Sequence, residues 1–279
     1  MTKEERHNLI LETLIKHESI TVANLSLLLD VSAVTIRKDL NELEQSRRLY
    51  RSHGRAILID PYTTNRSVIE KENIARHEKA LIGQYANTLI TKDDSIIIAS
   101  GTTVLALARC IKPIHRLTVI SASLKVSELL GTNEAIELIQ LGGTLRESSL
   151  SVVGKFAEAP LSDFSCSKLF IGVDGIDLDF GITTTDIRES DLNRAMMATA
   201  QKTIVLADST KFRRRGFSKI ADLEEVDMIV TDSNIPDKIA HAIEDRGVEL
   251  HIVDVTGTHK PSPTSQPFDN PGKEKIILS

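Results

Sequence analysis

The first sixty residues carry the apolar spacing of short helices. An apolar stripe that ends at Leu14 and Ile15 predicts a first helix, which stops near the polar stretch KHES. Thr21 and Ser32 each precede a further helical pattern and offer a side-chain oxygen to the free amides at its start. Because eleven residues separate these two caps, the pattern predicts a helix, a tight turn and a helix.

The third predicted helix has an apolar side and a polar, basic start. Val34 (or Ile36), Leu40 and Leu43 are expected to point inward. The start of the second helix of a helix-turn-helix is the part that meets base edges and phosphates in the major groove of DNA. The residues at or near this exposed start are Ser32, Ala33, Thr35, Arg37 and Lys38.

A β-hairpin is predicted directly after this helix. The stretch RRLYRSHGRAILI contains two short alternating runs, and Gly54 between them can take the positive φ of a hairpin tip. Arg51, His53 and Arg55 lie along it. A basic hairpin beside a recognition helix is a wing able to grip phosphates or a minor groove, so the sequence predicts a winged helix-turn-helix.

From about residue 76 the pattern becomes helices alternating with continuous aliphatic runs. Such runs are typical of a largely parallel sheet covered on both faces. We therefore predict an α/β protein, with an N-terminal winged helix-turn-helix domain followed by a Rossmann-like domain. The predicted strands include SIIIAS, LTVISAS, IELIQLGG, KLFIGVDGI, KTIVLADS, VDMIVTD and VELHIVD.

Four segments follow from these patterns. The winged helix-turn-helix is expected over 1–59 and the second domain over 76–254. Residues 60–75 open with Asp-Pro, are polar and have no sustained period, which predicts a linker. Residues 255–279 are rich in proline and poor in aliphatics, which predicts a disordered tail.

Composition narrows the class of protein. Hydrophobic residues make up 41% and charged residues 26% of 279, and no apolar run approaches the roughly 18 to 20 residues of a membrane helix. The start lacks the layout of a secretory signal, so a cytoplasmic protein that does not contact membranes is expected. Cys110 and Cys166 are expected to be buried thiols, and the histidine spacing predicts no metal and no cofactor.

The distribution of charge favours DNA binding although the total does not. The net charge is −5, yet Thr35 to Arg55 hold six basic and three acidic residues, and residues 61–279 hold 25 basic and 30 acidic. The alternative is that the basic residues form a solvated helical face. The candidate DNA contacts are Thr21, Ser32, Ala33, Thr35, Arg37, Lys38, Arg51, His53 and Arg55.

The same stretch resembles a known family. LDVSAVTIRKDLNELEQSRRLYRSHGRAIL is similar to the DNA-binding signature of the DeoR family of bacterial transcriptional regulators. Two departures are visible. The glycine usual after the Leu-Glu helix is replaced near Ser46 and Arg47, and the usual double glycine of the wing is Gly54-Arg55.

Polar residues recur where the predicted strands of the second domain end, which is where such sheets bind ligands. In Ser-Gly-Thr-Thr, the glycine lets the backbone come close, and hydroxyls and helix-start amides supply donors to an anion. The alternative is that these hydroxyls only cap a helix. The strand ends are Ser100-Gly101-Thr102-Thr103, Ser121-Ala122-Ser123, Gly142-Gly143-Thr144, Asp174-Gly175, Asp208-Ser209-Thr210-Lys211 and Asp232.

The resemblance extends over residues 1 to about 254. IIIASGTT, IQLGGTLRESSLSVVG, LFIGVDGIDLDFGITTTD and IVLADSTKF are similar to the DeoR-family effector domain, itself similar to ribose-5-phosphate isomerase and sugar-phosphate deaminases. It implies a phosphosugar sensor, although Ala122 stands where many relatives have asparagine. The implied effector contacts are Ser100, Gly101, Thr102 and Thr103 on the phosphate, Ser121, Ser123 and Gly143 nearby, and Asp174 and Lys211 at the sugar.

An enzyme is the second hypothesis. Asp174 and Asp177 resemble part of an isomerase loop, but the lysine-glycine segment that follows there is missing. Glu189 is the nearest candidate base, and its place at a helix start is explained by the helix dipole. Arg146 is expected either at a phosphate or at a subunit interface, and Arg213 to Arg215 form a basic loop.

The favoured interpretation is therefore a regulator rather than an enzyme. We expect a repressor of a carbohydrate-utilisation operon that binds double-stranded operator DNA and is controlled by a phosphorylated sugar. A homodimer or larger homo-oligomer is expected, because paired reading heads match paired half-sites. The alternative is a sugar-phosphate isomerase or deaminase fused to a DNA-binding module.

Overall fold

A computed structural model describes residues 1–17, 19–46, 48–52, 55–58, 68–113 and 115–255. The hairpin tip at His53 and Gly54 lies outside the described residues, as does the predicted tail from residue 256 onward.

The N-terminal unit is the predicted winged helix-turn-helix. Three helices carry a small antiparallel sheet with strand order β1-β3-β2, in which β2 and β3 are the predicted hairpin. Strand β1 was not predicted, because three residues are too short to show a period. The elements are α1 (Lys3–His17), β1 (Ser19–Thr21), α2 (Val22–Leu29), α3 (Ala33–Gln45), β2 (Leu49–Ser52) and β3 (Arg55–Leu58).

Local chemistry sets the ends of these helices. Thr21 Oγ1 accepts the Asn24 N–H at 3.1 Å and begins α2, and Ser32 Oγ accepts the Thr35 N–H at 3.2 Å and begins α3. Asp30 ends α2 in the left-handed conformation, with φ of 50°. Both predicted caps are therefore confirmed.

The C-terminal unit alternates helices and strands as predicted, with additional short strands and three short 3₁₀ helices at 159–163, 209–211 and 223–225. Its elements are α4 (Val68–Glu72), α5 (Arg76–Thr88), β4 (Ser95–Ile98), α6 (Thr102–Cys110), β5 (Leu117–Ser121), α7 (Leu124–Leu130), β6 (Ile136–Gln140), β7 (Thr144–Arg146), β8 (Ser151–Val153), α8 (Lys155–Glu158), β9 (Lys168–Gly172), β10 (Gly175–Asp177), β11 (Gly181–Thr184), α9 (Ile187–Thr199), β12 (Thr203–Leu206), β13 (Ser218–Ala221), β14 (Met228–Asp232), α10 (Asp237–Glu244) and β15 (Glu249–Val253).

Seven parallel strands form the main sheet, in the order β15-β14-β12-β9-β4-β5-β6. Along β4, Ile97 packs into the core on one face, while Ile96 and Ile98 pack into the core on the other. The chain runs from β4 toward β6 and then returns to the other side of β4 with β9. The order reverses between β4 and β9, and such a reversal opens a crevice at the carboxyl ends of the two strands.

A short helix lies within the predicted linker. This helix, α4, packs on the C-terminal unit, with Val68 only 4% exposed and its N–H donating to the Ser148 carbonyl at 2.6 Å. A helix of one and a half turns is too short to show a helical period, so the sequence pattern did not predict it. The predicted linker therefore contains a short helix at Val68–Glu72.

Gly83 allows α5 and α6 to pack at short range. A Cβ added there would lie 2.6 Å from the carbonyl carbon of Ala106, which is backbone and cannot swing aside. We expect Gly83→Ala to lower the free energy of unfolding of the C-terminal unit by about 1–3 kcal/mol in urea denaturation followed by circular dichroism. Gly142→Ala is the control, because a Cβ there meets nothing within 4 Å. Equal midpoints for the two variants would show that α5 can shift without cost.

Candidate functional site

Helix α3 presents one exposed face and one buried face. Ile36 is fully buried, whereas Val34 is 73% exposed, so of the two predicted inward positions Ile36 is the correct one. Leu40 and Leu43 are buried as expected. Helical spacing places Val34 on the same face as the exposed Arg37, Lys38 and Asn41. Val34 and Asn41 were not among the predicted contacts.

The other predicted DNA contacts fall into three groups. Ser32 and Thr35 bond to each other through their hydroxyls at 2.9 Å, and Thr21 caps α2, so these side chains have structural roles at helix starts. Ala33 is partly exposed at the start of α3. Arg51 is exposed on β2, whereas the predicted contacts of His53 and of the Arg55 side chain lie outside what the structure describes.

Arg51 joins the hairpin to the recognition helix. Its Nε donates to Glu44 Oε2 at 2.8 Å, and its backbone N–H donates to Glu44 Oε1 at 2.9 Å. The hairpin is therefore held at the carboxyl end of α3. This contact orients the hairpin relative to the exposed face of α3, a role that the basic pattern alone did not indicate.

A buried ion pair fixes α3 against α1. Arg6 donates to Asp39 from Nε at 2.5 Å and from Nη2 at 2.8 Å, and His7 Nε2 lies 3.2 Å from Asp39 Oδ1. Burial alone would raise the pKa of Asp39, but the bonds from Arg6 and His7 hold that pKa below its usual value. Asp39 is one residue from the exposed Lys38, so this pair sets the direction of the exposed face of α3.

A pocket lies in the crevice between β4 and β9. Its cavity measures about 50 Å³. The crevice is at the topological switch point, where the order of the strands predicts a ligand site. The lining residues are Val68, Lys71, Ser100, Gly101, Thr102, Thr103, Arg146, Ser148, Ser149, Gly172, Val173, Asp174, Thr184, Glu189 and Lys211.

The start of α6 forms one wall of the pocket. Its N-cap residue is Gly101, with φ of 127°, and glycine has no side chain to cap the helix. Ser100 does not cap the helix either, because its Oγ donates to Glu189 Oε1 at 2.8 Å. Thr102 and Thr103 follow, 8% and 5% exposed. A helix start of this kind suits an anion, since its amides and its dipole both favour negative charge.

Two lysines surround Asp174 on the opposite wall. Lys71 Nζ donates to Asp174 Oδ1 at 2.7 Å. Burial opposes ionisation of Asp174, but Lys71, Lys211 and the Thr184 hydroxyl lower its pKa to about 2. Burial lowers the pKa of Lys211 despite the neighbouring carboxylates. The wall therefore holds two lysines beside one ionised aspartate.

Glu189 belongs to the pocket, contrary to the expectation that the helix dipole alone explains it. It does lie in the first turn of α9, where Asp186 is the cap, but its carboxylate turns inward. Its Oε2 accepts from Thr184 Oγ1 at 3.0 Å and lies 3.5 Å from Arg146 Nη1. Arg146 is 8% exposed and also lies 3.3 Å from Asp186. Of the two roles expected for Arg146, its position fits the pocket.

Three predicted effector contacts do not line the pocket. Ser121 Oγ is fully buried, donates to the Ile98 carbonyl at 2.8 Å and accepts the Ser123 N–H at 3.1 Å. Ser123 caps α7 by accepting the Val126 N–H. Gly143 adopts φ of 141° where a Cβ would lie 2.8 Å from the Val153 carbonyl oxygen, so its role is in the turn before β7. These residues shape the strand ends rather than the pocket surface.

Asp177 and the basic loop have structural partners. Asp177 Oδ1 accepts from Arg215 Nη2 at 2.7 Å and from the Phe180 N–H at 2.9 Å. Arg215 also lies over the Phe180 ring, 4.9 Å from its centroid. Asp177 therefore fixes a turn and the loop before β13, which agrees with the turn-forming role of aspartates after strands.

Other candidate chemistry is limited. Among the described residues no group of three or more histidine, cysteine or acidic side chains is placed to hold a metal ion. Cys110 and Cys166 are free thiols, and burial raises the pKa of each. Within the described ranges no helix is long and apolar enough to cross a membrane.

Comparison with known proteins covers nearly the whole chain. The sequence profile of the DeoR-like helix-turn-helix domain matches residues 6–62, and that of the DeoR C terminal sensor domain matches residues 74–233. The putative aga operon transcriptional repressor of Escherichia coli O157:H7 is 36% identical over 251 residues, which cover 89% of this chain and 93% of that protein. The HTH-type transcriptional repressor GlcR of Bacillus subtilis is 33% identical and covers 91% of this chain and 98% of its own.

Among solved structures, ribose 5-phosphate isomerase A from Neisseria gonorrhoeae aligns with a TM-score of 0.36 and 16% identity, over 49% of this chain and 53% of that chain. The two profiles follow each other in the same order as the two units of the structure. Together with the relatives, they show that the chain belongs to the DeoR family of DNA-binding transcriptional regulators.

Proposed function

We propose that this regulator represses a carbohydrate-utilisation operon and that a phosphorylated sugar bound in the crevice between β4 and β9 controls its affinity for operator DNA. The observation that carries the proposal is the start of α6. Gly101 leaves the helix without a side-chain cap, and Thr102 and Thr103 line the pocket beside it. A phosphate suits such a helix start, because three anionic oxygens can accept from the hydroxyls and the amides.

The remaining walls suit a sugar. The pocket is lined by three cationic side chains and two carboxylates, and its polar surface includes Thr184 and Ser149. Carboxylates accept hydrogen bonds from sugar hydroxyls, whereas the surplus positive charge favours the phosphate. Asp174, Glu189 and Lys211 are therefore our candidates for the sugar end.

We further propose that the chain is not an enzyme. Both named relatives are transcriptional repressors. The only carboxylates among the described lining residues, Asp174 and Glu189, each accept hydrogen bonds from neighbouring side chains. For Asp174, the bonds from Lys71 and Thr184 lower the pKa of the carboxyl group, which makes this residue a weaker general base. Turnover of any sugar phosphate at an enzyme-like rate would favour the isomerase or deaminase alternative instead.

We assign operator binding to the exposed face of α3, which we call the reading face of this reading helix. We propose that Arg37 and Lys38 contact bases or phosphates and that Val34 packs on a thymine methyl group, which apolar side chains recognise in the major groove. We also propose a homodimer or larger homo-oligomer, because a single small reading head makes too few contacts for operator affinity. Since operator DNA is cytoplasmic, we place the protein there.

A ligand screen tests the effector site. Ribose 5-phosphate, glucose 6-phosphate, fructose 6-phosphate and fructose 1-phosphate would be compared with the free sugars and with inorganic phosphate by thermal shift, then by calorimetry. A ligand that binds the native state raises the melting temperature by mass action. We expect a sugar phosphate to bind more tightly than its free sugar.

The variant Thr102→Val tests whether the phosphate of the effector binds at the start of α6. The variant keeps the side-chain shape and removes one hydroxyl, so we expect affinity for the tightest-binding sugar phosphate to fall about 10- to 100-fold, the value of a hydrogen bond to a charged group. Thr132→Val, at an exposed position after α7, is the matched control. If Thr102→Val binds as tightly as the wild type, the phosphate does not lie at the start of α6.

A further inference from the structure

Helix α4 links the pocket to the segment that leads back to the DNA-binding unit. Val68 and Lys71 both line the pocket. Strand β3 of the hairpin ends at Leu58 and α4 begins at Val68, so residues 59–67 connect the wing to a wall of the pocket. Helix α4 is thus both part of the candidate effector site and the first described element after the hairpin.

The two ends of α4 are held differently. At its carboxyl end, the buried Lys79 Nζ donates to the Lys71 carbonyl at 2.8 Å and to the Ile74 carbonyl at 2.6 Å. Glu72 pairs there with Arg109 and, at 3.0 Å, with Lys125. At its amino end, Val68 donates one backbone bond to Ser148 in the loop between β7 and β8. The polar side-chain contacts named here therefore lie at the carboxyl end of α4, which provides a pivot, whereas the amino end is held by the packing of Val68 and its backbone bond.

The pocket must widen before it can hold a sugar phosphate. Its cavity of about 50 Å³ has room for only a few waters. Sites for small ligands measure roughly 300–1,000 Å³. One side of the pocket is formed by the main sheet and α6. Gly172 and Val173 lie at the end of β9, and Thr103 lies on α6. Helix α4 and the loop that carries Ser148 cover the pocket from outside that sheet, and Ser148 Oγ is buried there without a partner among the described residues.

Charge identifies the contact that a phosphate would change. Lys71 and Lys211 both interact with the single carboxylate of Asp174. Lys71 is 25% exposed in its side chain, so it can turn within the pocket. A phosphate dianion at the start of α6 offers Lys71 a second acceptor with more charge than Asp174 provides, and Lys211 remains to pair with the aspartate.

We propose that Lys71 is an effector-binding residue that transmits effector occupancy to the DNA-binding unit, by exchanging Asp174 for the phosphate of the sugar and turning α4 about its Lys79 anchor. The inference rests on the proposed function, since it requires a phosphorylated effector in this pocket. The exchange supplies the differential contact that a ligand needs to shift a conformational equilibrium.

The test separates effector affinity from coupling. The full chain would be assayed with inorganic phosphate and with the tightest-binding sugar phosphate of the screen. Coupling is the ratio of operator Kd with saturating sugar phosphate to operator Kd without it. For Lys71→Met we expect about 10-fold weaker binding of both probes and a coupling ratio near one even at saturation. Lys71→Arg is expected to restore most of the coupling, because it restores the charge.

Two comparisons make the result specific. Thr102→Val should weaken sugar-phosphate binding yet keep the wild-type coupling ratio once saturated, because it leaves α4 intact. Lys155→Met makes the same substitution at an exposed lysine on α8 and should change neither quantity. If Lys71→Met keeps the wild-type coupling ratio at saturation, Lys71 does not transmit occupancy, whatever its affinity. If the wild type binds no sugar phosphate, the proposed function itself fails and this inference fails with it.

Discussion

Replacing Arg37 and Lys38 together by alanine is expected to weaken operator binding by at least about 100-fold at physiological salt. Both side chains are exposed on the same face of α3 as Val34. A specific arginine contact to a base is worth about 1–3 kcal/mol, and a lysine at a phosphate adds a salt-dependent part. The measurement is the Kd for a fragment from the promoter that the protein regulates, titrated at several salt concentrations.

The salt dependence shows which kind of contact is lost. Each lost phosphate contact should reduce the slope of log K against log salt by about 0.9. Lys92→Ala with Arg116→Ala removes the same charge from exposed positions of the C-terminal unit and is the control. If both double variants weaken binding equally, the effect is one of net charge, and α3 is not the reading helix.

The sequence predicted those pocket residues whose position follows from the order and ends of the parallel strands. Ser100 to Thr103 follow a continuous aliphatic strand, Asp174 follows another, and parallel strands end at one edge of a sheet. Both segments line the crevice between β4 and β9. The same reasoning also selected Ser121 and Ser123, which do not line the pocket. Following a strand does not reveal whether a hydroxyl faces the crevice or satisfies a backbone carbonyl, and these two hydroxyls do the latter.

The residues that sequence reasoning missed depend on contacts between distant segments. Lys71 and Asp174 are 103 positions apart, and Ser100 and Glu189 are 89 apart. No periodicity in one sequence records such pairings. Glu189 also satisfied a local rule, the preference for acids in the first turn of a helix, and that rule concealed its inward direction. A charged residue that fits a local rule can still belong to a site, and only its rotamer and neighbours decide.

Asp39→Ala is expected to destabilise the N-terminal unit by about 3–5 kcal/mol, because it leaves the Arg6 guanidinium without its bidentate partner. The side chains of Arg6 and Asp39 are only 13% and 3% exposed, so water screens the pair weakly. The measurement is amide hydrogen exchange along α3 in the full chain, where protection should fall by roughly two to four orders of magnitude. Sugar-phosphate binding should remain unchanged, since the pocket lies in the other unit.

The pH dependence distinguishes this ion pair from simple loss of packing. Because the folded-state pKa of Asp39 is lowered, its contribution is fully present above the unfolded value of about 3.9 and is lost as the pH falls through the folded value. Wild-type α3 should therefore lose protection on acidification, and Asp39→Asn should remove the part of that loss due to this residue. Glu12→Gln, which alters an exposed carboxylate of the same N-terminal unit away from this ion pair, is the control and should leave the acid profile nearly unchanged. If Asp39→Asn keeps the wild-type acid profile, the direction of the reading face does not depend on the charge of this pair.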